Sequence, residues 1–91
     1  MILFFVAVKK GQPKRTDERL MHLIVGRLKE LRVKSGYSQE YVIEHTRLNL
    51  SQYEAGMRLP SFDSLSILCR FYGISLREFF STIDYPHRDG R

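Results

Sequence analysis

A chain of 91 residues has room for one small domain with a single modest core, and an apolar fraction of 43% fits a folded chain, not a disordered one. The formal charge of +5 and a pI near 9.7 favour a polyanionic partner. Cys69 is the only cysteine, which excludes an intrachain disulfide and a multi-cysteine zinc site and suits a reducing interior, where it packs as a small apolar residue.

Residues 2–8 are apolar throughout and rich in β-formers, but they are too few to span a bilayer. They lack the preceding basic region and the following small-residue cleavage site of a secretory leader, so a cytoplasmic protein without a membrane partner is expected. Lys9-Lys10-Gly11-Gln12-Pro13 then reads as a linker. No second convincing strand follows, so a strand at 2–8 either pairs with another copy of itself, packs on helices or stays unstructured. Lys9, Lys10, Lys14 and Arg15 form a basic arm that can lie along phosphates or a minor groove, or serve as a solvated linker.

Over residues 19–33, Leu20, Leu23, Ile24, Leu28 and Leu31 recur at three- and four-residue steps, which predicts a first helix with Thr16 or Asp17 as its cap and Gly36 at its end. Ser38 can cap a second helix over 39–45, with Val42 facing inward. Thr46-Arg47-Leu48-Asn49 makes the turn, and Asn49 is the best cap for a third helix over 50–55, closed by Gly56. Pro60-Ser61 opens a fourth helix over 62–72, in which Leu65, Leu68, Cys69 and Tyr72 share one face. Gly73 ends it, and Ser75-Leu76-Arg77-Glu78 has the capping-box spacing of a fifth helix carrying Leu76, Phe79 and Phe80. The expected fold is therefore all-α with five helices. Residues 1–18 form an extension holding the candidate strand and basic arm, 19–83 the domain, and 84–91 a flexible tail.

Within this pattern, residues 39–60 read as a capped helix, a tight turn, a second short helix and a Gly-Pro exit, the outline of a helix-turn-helix. Enzymatic chemistry is not expected. His22, His45 and His87 are scattered, no metal-ligand spacing or phosphate loop occurs, and neither a cofactor nor a small-molecule substrate is implied.

From Ile24 to Phe80 the chain resembles the phage repressor/Cro-like helix-turn-helix family, the xenobiotic-response-element type. The resemblance rests on Leu28-Lys29-Glu30-Leu31-Arg32, Ser38-Gln39-Glu40 with Val42, Tyr53-Glu54-Ala55-Gly56, Arg58-Leu59-Pro60-Ser61, Leu65, Leu68, Phe71-Tyr72-Gly73-Ile74-Ser75-Leu76 and Phe79. It implies a repressor-like DNA-binding domain whose second and third helices meet double-stranded DNA, and a structural ion pair between Arg32 and Glu54 that locks the reading helix to the scaffold. Gln39 matches the position that meets a DNA phosphate, its alternative being a solvent-facing glutamine. Asn49, Ser51 and Gln52 are the candidates for base edges, against capping for Asn49 and plain solvation for the others. Arg47 and Arg58 are candidates for phosphates on either side of the groove. Tyr53 is expected to pack inward, while Tyr41 can offer its hydroxyl to a phosphate.

Three departures accompany the resemblance. Ile43 stands where the family usually has Ala, and Arg47 stands where it usually has Gly in a turn with positive φ. The span from Gln39 to Glu54 is about three residues shorter than the commonest spacing, nearly one helical turn, which removes or remakes the first turn of the third helix and can relieve the glycine requirement at Arg47. A transcriptional regulator on operator DNA is the leading expectation. It would act as a homodimer, since one short reading helix makes too few contacts alone, with residues 2–8 or Phe79-Phe80 as the dimer contact. The alternative is a protein-interaction module, accessory or antitoxin-like, with weak or non-specific DNA binding on the same scaffold.

Overall fold

The computed structural model describes residues 16–86; the expected strand at 2–8, the basic arm and residues 87–91 lie outside them. Five helices follow in chain order: α1 (Glu18–Ser35), α2 (Gln39–Thr46), α3 (Leu50–Glu54), α4 (Phe62–Tyr72) and α5 (Leu76–Phe80). No strand occurs among the described residues, and the fold is all-α.

Side-chain caps set most helix starts. Asp17 Oδ1 accepts from the Leu20 N–H at 3.0 Å, Ser38 Oγ from Tyr41 at 3.1 Å, Ser61 Oγ from Ser64 at 3.1 Å and Ser75 Oγ from Glu78 at 3.0 Å. Each bond satisfies an amide that has no partner within its own helix. α1 and α4 end at Gly36 and Gly73, whose φ values of 76° and 75° let the chain turn back without the crowding a Cβ would cause. α3 is the exception at its start. Asn49 is its N-cap, but its side chain makes no cap bond, because φ −86° and ψ 57° depart from the extended backbone that aims a capping oxygen at the following amides.

Every helix contributes to one core: Ile24, Leu28 and Leu31 from α1, Val42 from α2, Leu50 and Tyr53 from α3, Leu65, Leu68 and Cys69 from α4, and Phe79 from α5. α1 packs on α3 and α4, α2 on the same two helices, and α5 on α4. Phe79 is fully buried, and truncating a side chain of this size in a filled core typically costs about 3–5 kcal/mol. Ile43 is half-buried against this core.

Two long-range ties were not visible in the sequence. Arg27, on α1, donates from Nε to the Phe79 carbonyl and from Nη2 to the Glu78 carbonyl, both at 2.8 Å, and pairs with Glu30 at 3.0 Å. It thereby adds a donor to two carbonyls of α5; the Glu78 carbonyl also accepts from the Ser81 N–H at 3.2 Å and hydroxyl at 2.8 Å. At the other end, the Tyr85 hydroxyl donates to Asp17 Oδ2 at 2.9 Å and Oδ1 at 3.1 Å, so Tyr85, expected in a flexible tail, is tied to the start of α1. The Leu20 amide and then the Tyr85 hydroxyl hold the Asp17 carboxyl below its ordinary pKa, while the same carboxylate raises that of Tyr85.

Candidate nucleic-acid interface

α2 and α3 are held to each other and to α1 by one polar network. Arg32 Nε donates to Glu54 Oε2 at 2.9 Å and Nη2 to Oε1 at 3.1 Å, a two-pronged pair in which the Glu54 side chain is 1% exposed and that of Arg32 18%. Arg32 Nη1 also donates to the Tyr37 carbonyl at 2.9 Å, and Gln39 Nε2 donates to Glu54 Oε1 at 2.9 Å. Bonding to Glu54 raises the Arg32 pKa further above its already high value, against the opposing effect of burial. One buried carboxylate thus receives the end of α1, the first residue of α2 and, through its own backbone, the end of α3.

Gln39 is consequently not free in the domain. One amide N–H is committed to Glu54, and Oε1 lies 3.5 Å from Ser51 Oγ, which places Gln39 and Ser51 side by side where α2 starts and α3 passes. A second pair forms farther along, where Arg58 Nη1 approaches Gln52 Oε1 at 3.4 Å. Ser51 and Arg58 are exposed and Gln52 half-buried. Arg47 and Asn49 lie on the connecting turn, both exposed, apart from these two pairs.

The turn corrects one expectation. Shortening the motif does not relieve the glycine requirement at Arg47: its φ is 61° and ψ 24°, a left-handed conformation, and its N–H bonds the Ile43 carbonyl at 2.7 Å to close α2. Leu48 and Asn49 alone connect Arg47 to Leu50, which is fully buried as the first residue of α3. α3 therefore begins on its buried side with Leu50, packs through Leu50, Tyr53 and Glu54, and leaves Ser51 exposed.

Tyr53 packs inward at 7% exposure, with its hydroxyl 3.3 Å from Ser64 Oγ. On the outer side of α2, Tyr41 stacks on Tyr37 at 4.6 Å between ring centroids and lies 4.1 Å from the His45 ring, with Phe71 5.3 Å from Tyr37. This aromatic run escaped the sequence reading, although the four-residue spacing of Tyr37, Tyr41 and His45 signals it. Beneath it, the Tyr72 hydroxyl is buried and has no hydrogen-bond partner among the described residues, and burial pushes its pKa up to about 12.

An open groove of about 750 Å³ runs between the start of α1 and the loop after α3, lined by Met21, His22, Val25, Ala55 and Met57 among others, and includes none of the DNA candidates. Among the described residues no cluster of three or more His, Cys, Asp or Glu is placed to hold a metal, and no helix is long and apolar enough to cross a membrane.

A five-helix domain whose second and third helices are joined by a tight left-handed turn and clamped to the first by a buried charge pair is a helix-turn-helix protein. The family model described as helix-turn-helix matches residues 28–79, more than half of the chain, and the chain belongs to that family, of the Cro/C1 type. At the level of the family it is a DNA-binding regulatory protein, and the family is generally non-enzymatic. Neither a curated protein nor a solved structure matches the chain.

Proposed function

We propose that this protein is a cytoplasmic transcriptional regulator that binds duplex operator DNA as a homodimer, each protomer presenting the α2–α3 edge to one half-site. The observation that carries this reading is the Arg32–Glu54–Gln39 network, which fixes α3 against the scaffold and sets Gln39 beside Ser51 on one surface. In the proposed complex, Ser51, Gln52 and Asn49 meet base edges, Gln39 uses its remaining N–H toward a phosphate, and Arg47 and Arg58 hold backbone phosphates. A single α3 of five residues offers few base contacts, so two half-sites are required for useful affinity. Of the Phe79-Phe80 pair expected at the dimer contact, Phe79 is fully buried in the core and only Phe80 is exposed; with Leu76, one turn away on α5, Phe80 is the candidate for the contact between protomers.

Fluorescence anisotropy with duplex DNA across a range of salt concentrations tests the reading. A dimer with Arg47 and Arg58 on phosphates in each half should show a slope of log K against log salt of about −3.6. Changing Asn49, Ser51 and Gln52 together to Ala should abolish sequence preference while leaving most of that slope. No binding near physiological salt would refute the proposal and bring forward a protein-interaction role.

A further inference from the structure

We infer that Arg47 is a phosphate-binding residue held in a turn position where glycine would make the fold more stable, so that at this position DNA affinity and stability oppose each other. The inference rests on the DNA-binding reading above and adds a specific role for the remade turn. Among the described residues four have positive φ: Gly36, Gly56, Gly73 and Arg47. At the three glycines the conformation is free of side-chain conflict; at Arg47 the Cβ crowds the adjoining peptide groups.

Nothing within the domain offsets that strain. The Arg47 side chain is exposed and makes no hydrogen bond or ion pair with any described residue, in contrast to Arg27 and Arg32, whose guanidiniums are each bonded to two or more partners. Non-glycine residues in this conformation persist where surroundings or function require them. The bonds that fix the turn are the Arg47 N–H to the Ile43 carbonyl and the Leu48 N–H to Thr46 Oγ1 at 3.3 Å, and neither uses the Arg47 side chain, so glycine would keep both.

What remains is the charged fork, and its position gives it a use. Because Leu50 enters the core as the first residue of α3, the exposed Arg47 and Asn49 of the turn stand just ahead of the exposed Ser51. A guanidinium there suits the planar, two-oxygen geometry of a phosphodiester. Backbone contact at Arg47 would thus sit directly beside the base-edge candidates Asn49, Ser51 and Gln52.

Arg47→Gly, Arg47→Ala and Arg47→Lys separate the two effects, with thermal melting and salt-dependent anisotropy on random-sequence duplex as readouts in the full chain. Arg47→Gly should melt a few degrees above wild type, although part of the gain is lost to the greater freedom of glycine in the unfolded chain. Its DNA affinity at about 0.1 M salt should fall on the order of 50-fold, with the salt slope of a dimer shallower by about 1.8. Arg47→Ala should lose the same affinity without melting higher, and Arg47→Lys should keep most of the slope. An Arg47→Gly variant that melts below wild type, or binds with unchanged affinity and slope, overturns the inference; unchanged binding also removes Arg47 from the proposed phosphate contacts, while duplex binding by the motif itself stands. Failure of the wild-type chain to bind duplex at any salt overturns both.

Discussion

Glu54→Ala removes the acceptor on which the motif converges. Two Arg32 donors and one Gln39 donor lose their partner, and the Arg32 charge, with its side chain only 18% exposed, keeps just the Tyr37 carbonyl. Breaking a buried pair by deleting one member costs about 3–5 kcal/mol. Residual solvent contact at Arg32 puts the expected loss at the lower end, about 3 kcal/mol. For a domain of this size, 1 kcal/mol moves Tm by about 4–8 °C, so the variant should melt roughly 12–24 °C below wild type, measured by circular dichroism at neutral pH. Combining Glu54→Leu with Arg32→Met should recover much of the loss, because apolar groups of similar volume can replace a buried pair at little cost. A drop of under about 3 °C, the size expected for an exposed ion pair, would refute the reasoning that the pair anchors α3.

Two further outcomes follow from single groups. Tyr72→Phe removes a buried hydroxyl that has no partner among the described residues, so Tm should hold or rise, by up to about 1 kcal/mol of stability; a fall of comparable size would reveal a bond the structure does not contain. Asp17 has a folded pKa below its ordinary value, so its contribution is fully present above the unfolded carboxylate pKa of about 3.9 and is lost as pH falls through the depressed folded value. The small Tm gap between wild type and Asp17→Ala should therefore be constant from about pH 5 to 7 and close on further acidification. A gap undiminished at about pH 2 would contradict the assigned role of the carboxylate.

The helices were legible in the sequence because their signals are local. Ser38, Ser61 and Ser75 stand before apolar-periodic runs, and each accepts from the amide three residues on. Gly36 and Gly73 mark the ends of α1 and α4 in the same way. Asn49 had the right residue type for a cap but not the backbone, since two residues between a left-handed turn and a buried Leu50 leave no extended segment. The Arg27 bonds to α5 and the Tyr85 bond to Asp17 join residues more than fifty positions apart, and periodicity carries no information on such pairings. At the candidate interface, residue types suggested Gln39, Ser51, Gln52 and Arg58 one at a time. Packing makes Gln39–Ser51 and Gln52–Arg58 into pairs and commits part of Gln39 to Glu54, which spacing alone does not disclose.

The central claim is that a helix-turn-helix with a five-residue third helix still reads duplex DNA from two half-sites. Selection of bound sequences from a random duplex pool by the full chain, with the stoichiometry of the selected complex measured alongside, tests it most directly. The account predicts an enriched, two-fold symmetric site with half-sites about one helical turn, or a multiple of it, apart, bound by two protomers. Binding that is steeply salt-dependent but enriches no sequence, or that enriches a single unsymmetric site bound by one protomer, would contradict it.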